Sequence, residues 1–94
     1  MNVIWTPRAA ADLDEAFDYI GTDSPESAIR VADKIYHQVM GLAAMPHIGR
    51  KGKVPGTREL VLHPWPSYIA VYKVDGDTIR IIRIRHAAQE WPTA

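Results

Sequence analysis

Pro66-Ser-Tyr-Ile-Ala-Val-Tyr-Lys-Val-Asp-Gly-Asp-Thr-Ile-Arg-Ile-Ile-Arg-Ile-Arg-His86 is the stretch that decides how this chain folds. Two runs rich in β-branched and aromatic residues flank Asp75-Gly76, a dipeptide that tolerates the positive φ of a tight hairpin turn. The pattern predicts two antiparallel strands. A two-residue turn at Asp75-Gly76 pairs Val74 with Asp77, Tyr72 with Ile79, Ala70 with Ile81 and Tyr68 with Arg83. Side chains alternate along a strand, so Ile82 and Ile84 are expected on one face and Arg83 and Arg85 on the other. His86 ends the basic strand. One face can join a core while the other presents guanidinium groups.

Upstream, Asn2–Trp5 reads as a short strand. Thr6 is placed to cap a helix, with Pro7 at the first helical position, where a missing N–H costs nothing. Ala10, Leu13, Phe17 and Ile20 follow helical spacing, leaving Asp12, Asp14, Glu15 and Asp18 on a wet face. Ser24-Pro25-Glu26 restarts a helix by the same device. Ala28, Val31, Ala32, Ile35, Val39 and Leu42 continue the stripe until Pro46 ends it. Helices are therefore expected near 7–20 and 25–45. Pro46–Thr57, with its glycines, prolines and Arg50, Lys51 and Lys53, reads as an ordered basic loop. Arg58–Leu62 is a third strand candidate, broken by Pro64-Trp65-Pro66. The order β-α-α-β-β-β predicts an α+β fold, a helical hairpin packed on a small, mainly antiparallel sheet.

Ninety-four residues make one domain, spanning 1–94, because two cores would not fit. A hydrophobic share of 47% with 23% charged residues excludes a disordered chain. No apolar run approaches the roughly 20 residues of a membrane span, and the N-terminus lacks the basic region and apolar core of a signal peptide. The expected location is the cytoplasm, with no membrane partner. The absence of cysteine removes disulfides, thiolate metal sites and thiol catalysis. His37, His47 and His63 have no partners at ligand spacing, so neither a metal nor a cofactor is expected.

The zero net charge is unevenly divided. Residues 1–45 carry three basic side chains (Arg8, Arg30, Lys34) against seven acidic ones, net −4, and residues 46–94 carry eight basic against four acidic, net +4. This is either a pair of solvated faces or a basic working surface with an acidic back. A dedicated nucleic-acid binder is more often basic overall.

Taken together, several segments resemble the RelE/ParE superfamily of toxins from bacterial type II toxin–antitoxin modules. They are Trp5-Thr-Pro-Arg-Ala-Ala-Ala-Asp-Leu13, Tyr19-Ile20, Met45-Pro-His-Ile-Gly-Arg50, Gly56-Thr-Arg-Glu-Leu60, Tyr68-Ile-Ala-Val-Tyr72 and Ile82-Arg-Ile-Arg-His-Ala-Ala-Gln-Glu-Trp-Pro92. The resemblance implies a growth inhibitor neutralised by a cognate antitoxin in a hetero-oligomeric complex. It leaves the branch open: ParE-like members act on DNA gyrase without known catalysis, and RelE-like members cut mRNA on the ribosome. An inactive interaction module is a third reading. By position, Lys51, Lys53, Arg58, Arg83 and His86 match the nuclease branch's usual basic and C-terminal groups. Cleavage through the 2′-oxygen needs a base, charge stabilisation on phosphate and a proton for the leaving oxygen. Two features favour the ParE-like branch: Ala87-Ala88-Gln89-Glu90-Trp91 follows His86 with no tyrosine, and the chain is neutral.

Each site residue also has a structural reading. His86 can be a strand-end histidine bonded to backbone. Arg83 and Arg85 can be solvated charges that discourage edge pairing. Arg58, on the side of Leu60 and Leu62, fits a structural ion pair, and Tyr68 and Tyr72 fit the core. An acidic antitoxin stretch is expected over Arg58, Arg83 and Arg85, with Trp65 and Trp91 as aromatic anchors for a partner.

Overall fold

The computed structural model describes residues 1–63 and 68–88. Strand β1 (Asn2–Trp5) leads into helices α1 (Pro7–Asp23) and α2 (Pro25–Met40), the latter extended by a short 3-10 turn at Gly41–Ala43. Strands β2 (Arg50–Lys51), β3 (Arg58–Leu62), β4 (Tyr68–Asp75) and β5 (Thr78–His86) follow. The helical hairpin covers one face of a five-stranded sheet ordered β1-β5-β4-β3-β2. All pairings are antiparallel except β1 with β5. The expected α+β architecture is present, with the two-residue β2 added from the segment read as loop.

Both helices begin as the sequence dictates. The Thr6 hydroxyl accepts the Ala9 N–H at 3.2 Å and donates to the Ile81 carbonyl at 2.7 Å, so the cap also fastens α1 to β5. Ser24 Oγ accepts the Ser27 N–H at 3.2 Å. The α2 stripe holds at Ala28, Val31, Ile35 and Val39, with Leu42 buried in the turn beyond. On α1 the buried face is turned from the expected one. Ala9, Asp12 and Ala16 are buried, whereas Ala10 and Phe17 are exposed. Asp12 is thus in the core, not on a wet face.

The hairpin turn lies one residue later than expected. Asp75 pairs with Thr78, leaving Gly76 and Asp77 as the central residues. Gly76 has φ +60 and Asp77 has negative φ, the signature of a type II′ turn with glycine first. Val74 therefore faces Ile79, and Tyr72 faces Ile81. A bulge then inserts Ile82, so Val71 meets Arg83, Ala70 meets Ile84 and Tyr68 meets His86. The extra residue reverses the alternation. Ile79, Ile81 and Ile84 consequently share the core with Tyr68, Ala70 and Tyr72.

Candidate functional site

Two neighbourhoods hold the polar chemistry, one at each end of the sheet. At the β2–β3 end, the loop that carries the lysines is pinned from below. The buried Tyr72 hydroxyl accepts the Gly49 N–H and donates to the Pro46 carbonyl, both at 2.9 Å. Arg58 donates to the Gly49 carbonyl at 2.8 Å and to that of His47 at 3.3 Å. A Cβ at position 49 would lie 2.6 Å from the Tyr72 hydroxyl, so only glycine fits. Pro55 and Gly56 (φ +82) then form a tight turn closed by the Thr57 N–H to the Val54 carbonyl at 3.1 Å, the geometry in which proline and glycine hold the two central places.

Glu59 organises the opposite sheet face at this end. Its carboxylate, 3% exposed, accepts from Arg50 at 3.2 Å, the Lys53 N–H at 3.1 Å and Arg85 at 3.5 Å. Burial pushes its pKa up, but the Lys53 N–H, the Arg50 bond and the Arg85 and Arg50 charges outweigh that and hold it below 4.5. Burial raises the Tyr72 hydroxyl despite the Gly49 bond and the Arg58 charge. What remains outside is a depression of about 400 Å³ lined by Lys51, Gly52, Pro55, Gly56, Thr57 and Arg58.

At the other end, β1 stops pairing at Ile81, and among the described residues the last part of β5 has no strand neighbour on that side. Asp12 of α1 takes that place. Its carboxylate accepts from the Ile84 N–H at 3.0 Å, from Arg83 Nε at 2.7 Å and from Arg8 Nε at 3.3 Å. A helix side chain thereby supplies the acceptor that a sixth strand would give. Beside it, Tyr68 and His86 stack edge to face, 5.3 Å between centroids. The Ala88 N–H donates to His86 Nδ1 at 3.1 Å, which leaves a neutral ring's proton on Nε2. Burial, then the neighbouring Tyr19 phenol, raises the Tyr68 hydroxyl. These residues line a depression of about 360 Å³ with Asp12, Glu15, Ala16 and Ile84.

The residues singled out from sequence are therefore divided. Lys51 and Arg58 line one depression and His86 the other, and the two share no described residue. Lys53 lies in the pinned loop with its side chain exposed. Among the described residues Arg58 serves backbone carbonyls and not an ion pair. The Arg83 and Arg85 side chains, 13% and 7% exposed, bind Asp12 and Glu59. Accessible positive charge in this region is instead at Arg50, Lys51 and Lys53. Trp65 and Trp91 lie outside the described residues. Sequence reasoning missed Asp12, whose three- and four-residue spacing from Ala9 and Ala16 was the available signal. It also missed Glu59.

A family model for the ParE toxin of type II toxin–antitoxin systems matches residues 3–91. The chain belongs to the ParE toxin family. Putative toxin Y4kP of Sinorhizobium fredii is 44% identical over 91 residues, covering 97% of this chain and 93% of the relative. Toxin RelE2 of Caulobacter vibrioides is 45% identical over 88 residues, covering 94% and 97%. The solved structure of a chromosomal ParDE toxin–antitoxin system from P. aeruginosa matches with a TM-score of 0.81 at 40% identity, covering 92% of this chain and 95% of that one. This ParE-family protein is thus the toxin of a type II toxin–antitoxin system, which implies an antitoxin partner. None of its described helices is long and apolar enough to cross a membrane.

Proposed function

We propose that this ParE-family toxin inhibits growth in the cytoplasm by binding DNA gyrase, without bond-breaking chemistry of its own. The supporting observation is the division of the candidate groups. An acid–base residue and the cations that would stabilise a phosphorane must reach one reacting centre. Here His86 lines one depression, Lys51 and Arg58 line another, and Arg83 is held by Asp12. A ribosome-dependent mRNA endonuclease is the second reading, favoured by Lys51 and Arg58 sharing one depression.

The two readings separate on toxicity. A nuclease loses about 10²–10⁴-fold in cleavage when an acid–base or phosphate-stabilising group is removed, whereas a binding surface loses activity gradually. His86→Ala, and the double change Lys51→Ala with Lys53→Ala, are expected to retain most growth inhibition in proteins whose folding is verified by circular dichroism. Abolished toxicity in folded His86→Ala, with codon-positioned mRNA cuts by the parent, contradicts the proposal. The antitoxin forms a hetero-oligomer with the toxin, and an acidic stretch of it lies over Arg50, Lys51, Lys53 and Arg58. Lys51→Glu with Lys53→Glu should weaken the complex and reduce its salt sensitivity.

A further inference from the structure

We propose that the depression between α1 and the end of β5 receives one arginine or lysine side chain of the antitoxin. This rests on the chain being the toxin of a toxin–antitoxin pair, and not on gyrase being the target. At about 360 Å³ the space is near the small end of the roughly 300–1,000 Å³ of ligand sites. It suits a single long side chain better than a folded segment. Its lining is selective for a cation. Tyr68 and Tyr19 offer aromatic rings, and a cation over such a ring is attracted by its electron-rich face. Glu15 sits on the α1 wall, exposed and without an ion pair among the described residues. Asp12, in the same wall, is already engaged by Arg83 and Arg8. Among the described residues neither lysine nor arginine lines the site, whose one basic group is the His86 imidazole.

The neighbouring surface has the same sign. Asp14 and Asp18 are exposed on α1, and the chain's first 45 residues carry a net charge of −4, three basic against seven acidic. Tyr19, 72% exposed, stands at the rim where an entering alkyl stem would lie along its ring. An antitoxin that wraps the toxin would then be held by opposite charges at two places. Its acidic stretch meets the lysine loop, and its basic side chain enters the α1–β5 depression. Such an arrangement fixes the register of a long segment, because sliding it brings like charges together.

The test is the affinity of the cognate antitoxin for the parent toxin and for Glu15→Gln, Glu15→Lys and Tyr19→Ala, across a salt series. Glu15 and Tyr19 are exposed, so folding is expected to survive and is checked by circular dichroism. Glu15→Gln should weaken binding about tenfold and Glu15→Lys about a hundredfold, with a shallower salt dependence. A double-mutant cycle should couple Glu15 to one arginine or lysine of the antitoxin, and exchanging the two charges should restore affinity. Growth inhibition by Glu15→Lys made without antitoxin should persist. Unchanged affinity of Glu15→Lys overturns the proposal, as does equal loss with every antitoxin basic residue. Lost toxicity with retained antitoxin binding also overturns it, by assigning the depression to the target. A failure of the gyrase reading appears separately, in DNA supercoiling.

Discussion

The Tyr72 hydroxyl makes one bond to each side of the loop it supports, accepting from Gly49 and donating to Pro46. Tyr72→Phe leaves both backbone groups without that partner and should cost about 1–3 kcal/mol in urea unfolding. Glu59 gives a pH signature with a definite sign. Its folded pKa lies below 4.5, so the stabilisation is complete above that value and is lost as pH falls through the lower, folded value. As pH falls below 4.5, the parent should lose stability more steeply than Glu59→Gln. Residue roles of this kind were hard to read in the sequence. Composition identifies a carboxylate but not its neighbours, and the partners of Glu59 come from β2, the following loop and β5. The capping hydroxyls of Thr6 and Ser24 were legible because their partners lie three residues away.

The joint between α1 and β5 shows the same contrast at the level of elements. Asp12 accepts the Ile84 N–H where β1 no longer reaches, and it neutralises Arg83. Asp12→Ala strands a half-buried arginine and an edge N–H together. The expected loss is about 3–5 kcal/mol, with Asp12→Asn retaining part of the stability. Helix and strand identities followed from period and caps, but the turn and register of the hairpin did not. Asp75-Gly76 and Gly76-Asp77 both satisfy turn chemistry, and glycine in the first central place selected the second. The bulge left a trace in Ile81-Ile82, two apolar neighbours within an otherwise alternating strand. Deleting Ile82 would close the bulge and leave Ile81 and Ile84 on the core face with Arg83 opposite, so the shortened chain should retain cooperative thermal unfolding.

For the whole molecule, the β-α-α-β-β-β order was readable because each element carries its own local signal. The parallel pairing of β1 with β5 was not, since no local pattern reports on residues about 75 positions apart, a separation seen in the bond from Thr6 to Ile81. The candidate site was legible only as a set of residue types. Lys51, Arg58, Arg83 and His86 are the right groups for a nuclease, but the fold places them in separate depressions or ties them to carboxylates and carbonyls. In the proposed reading, the toxin acts by occupying a target. The most direct test is to induce it without antitoxin and, in the same cells, follow plasmid supercoiling and map mRNA 5′ ends. Altered supercoiling without new codon-positioned 5′ ends is the expected result; codon-positioned cleavage with unchanged supercoiling would contradict it.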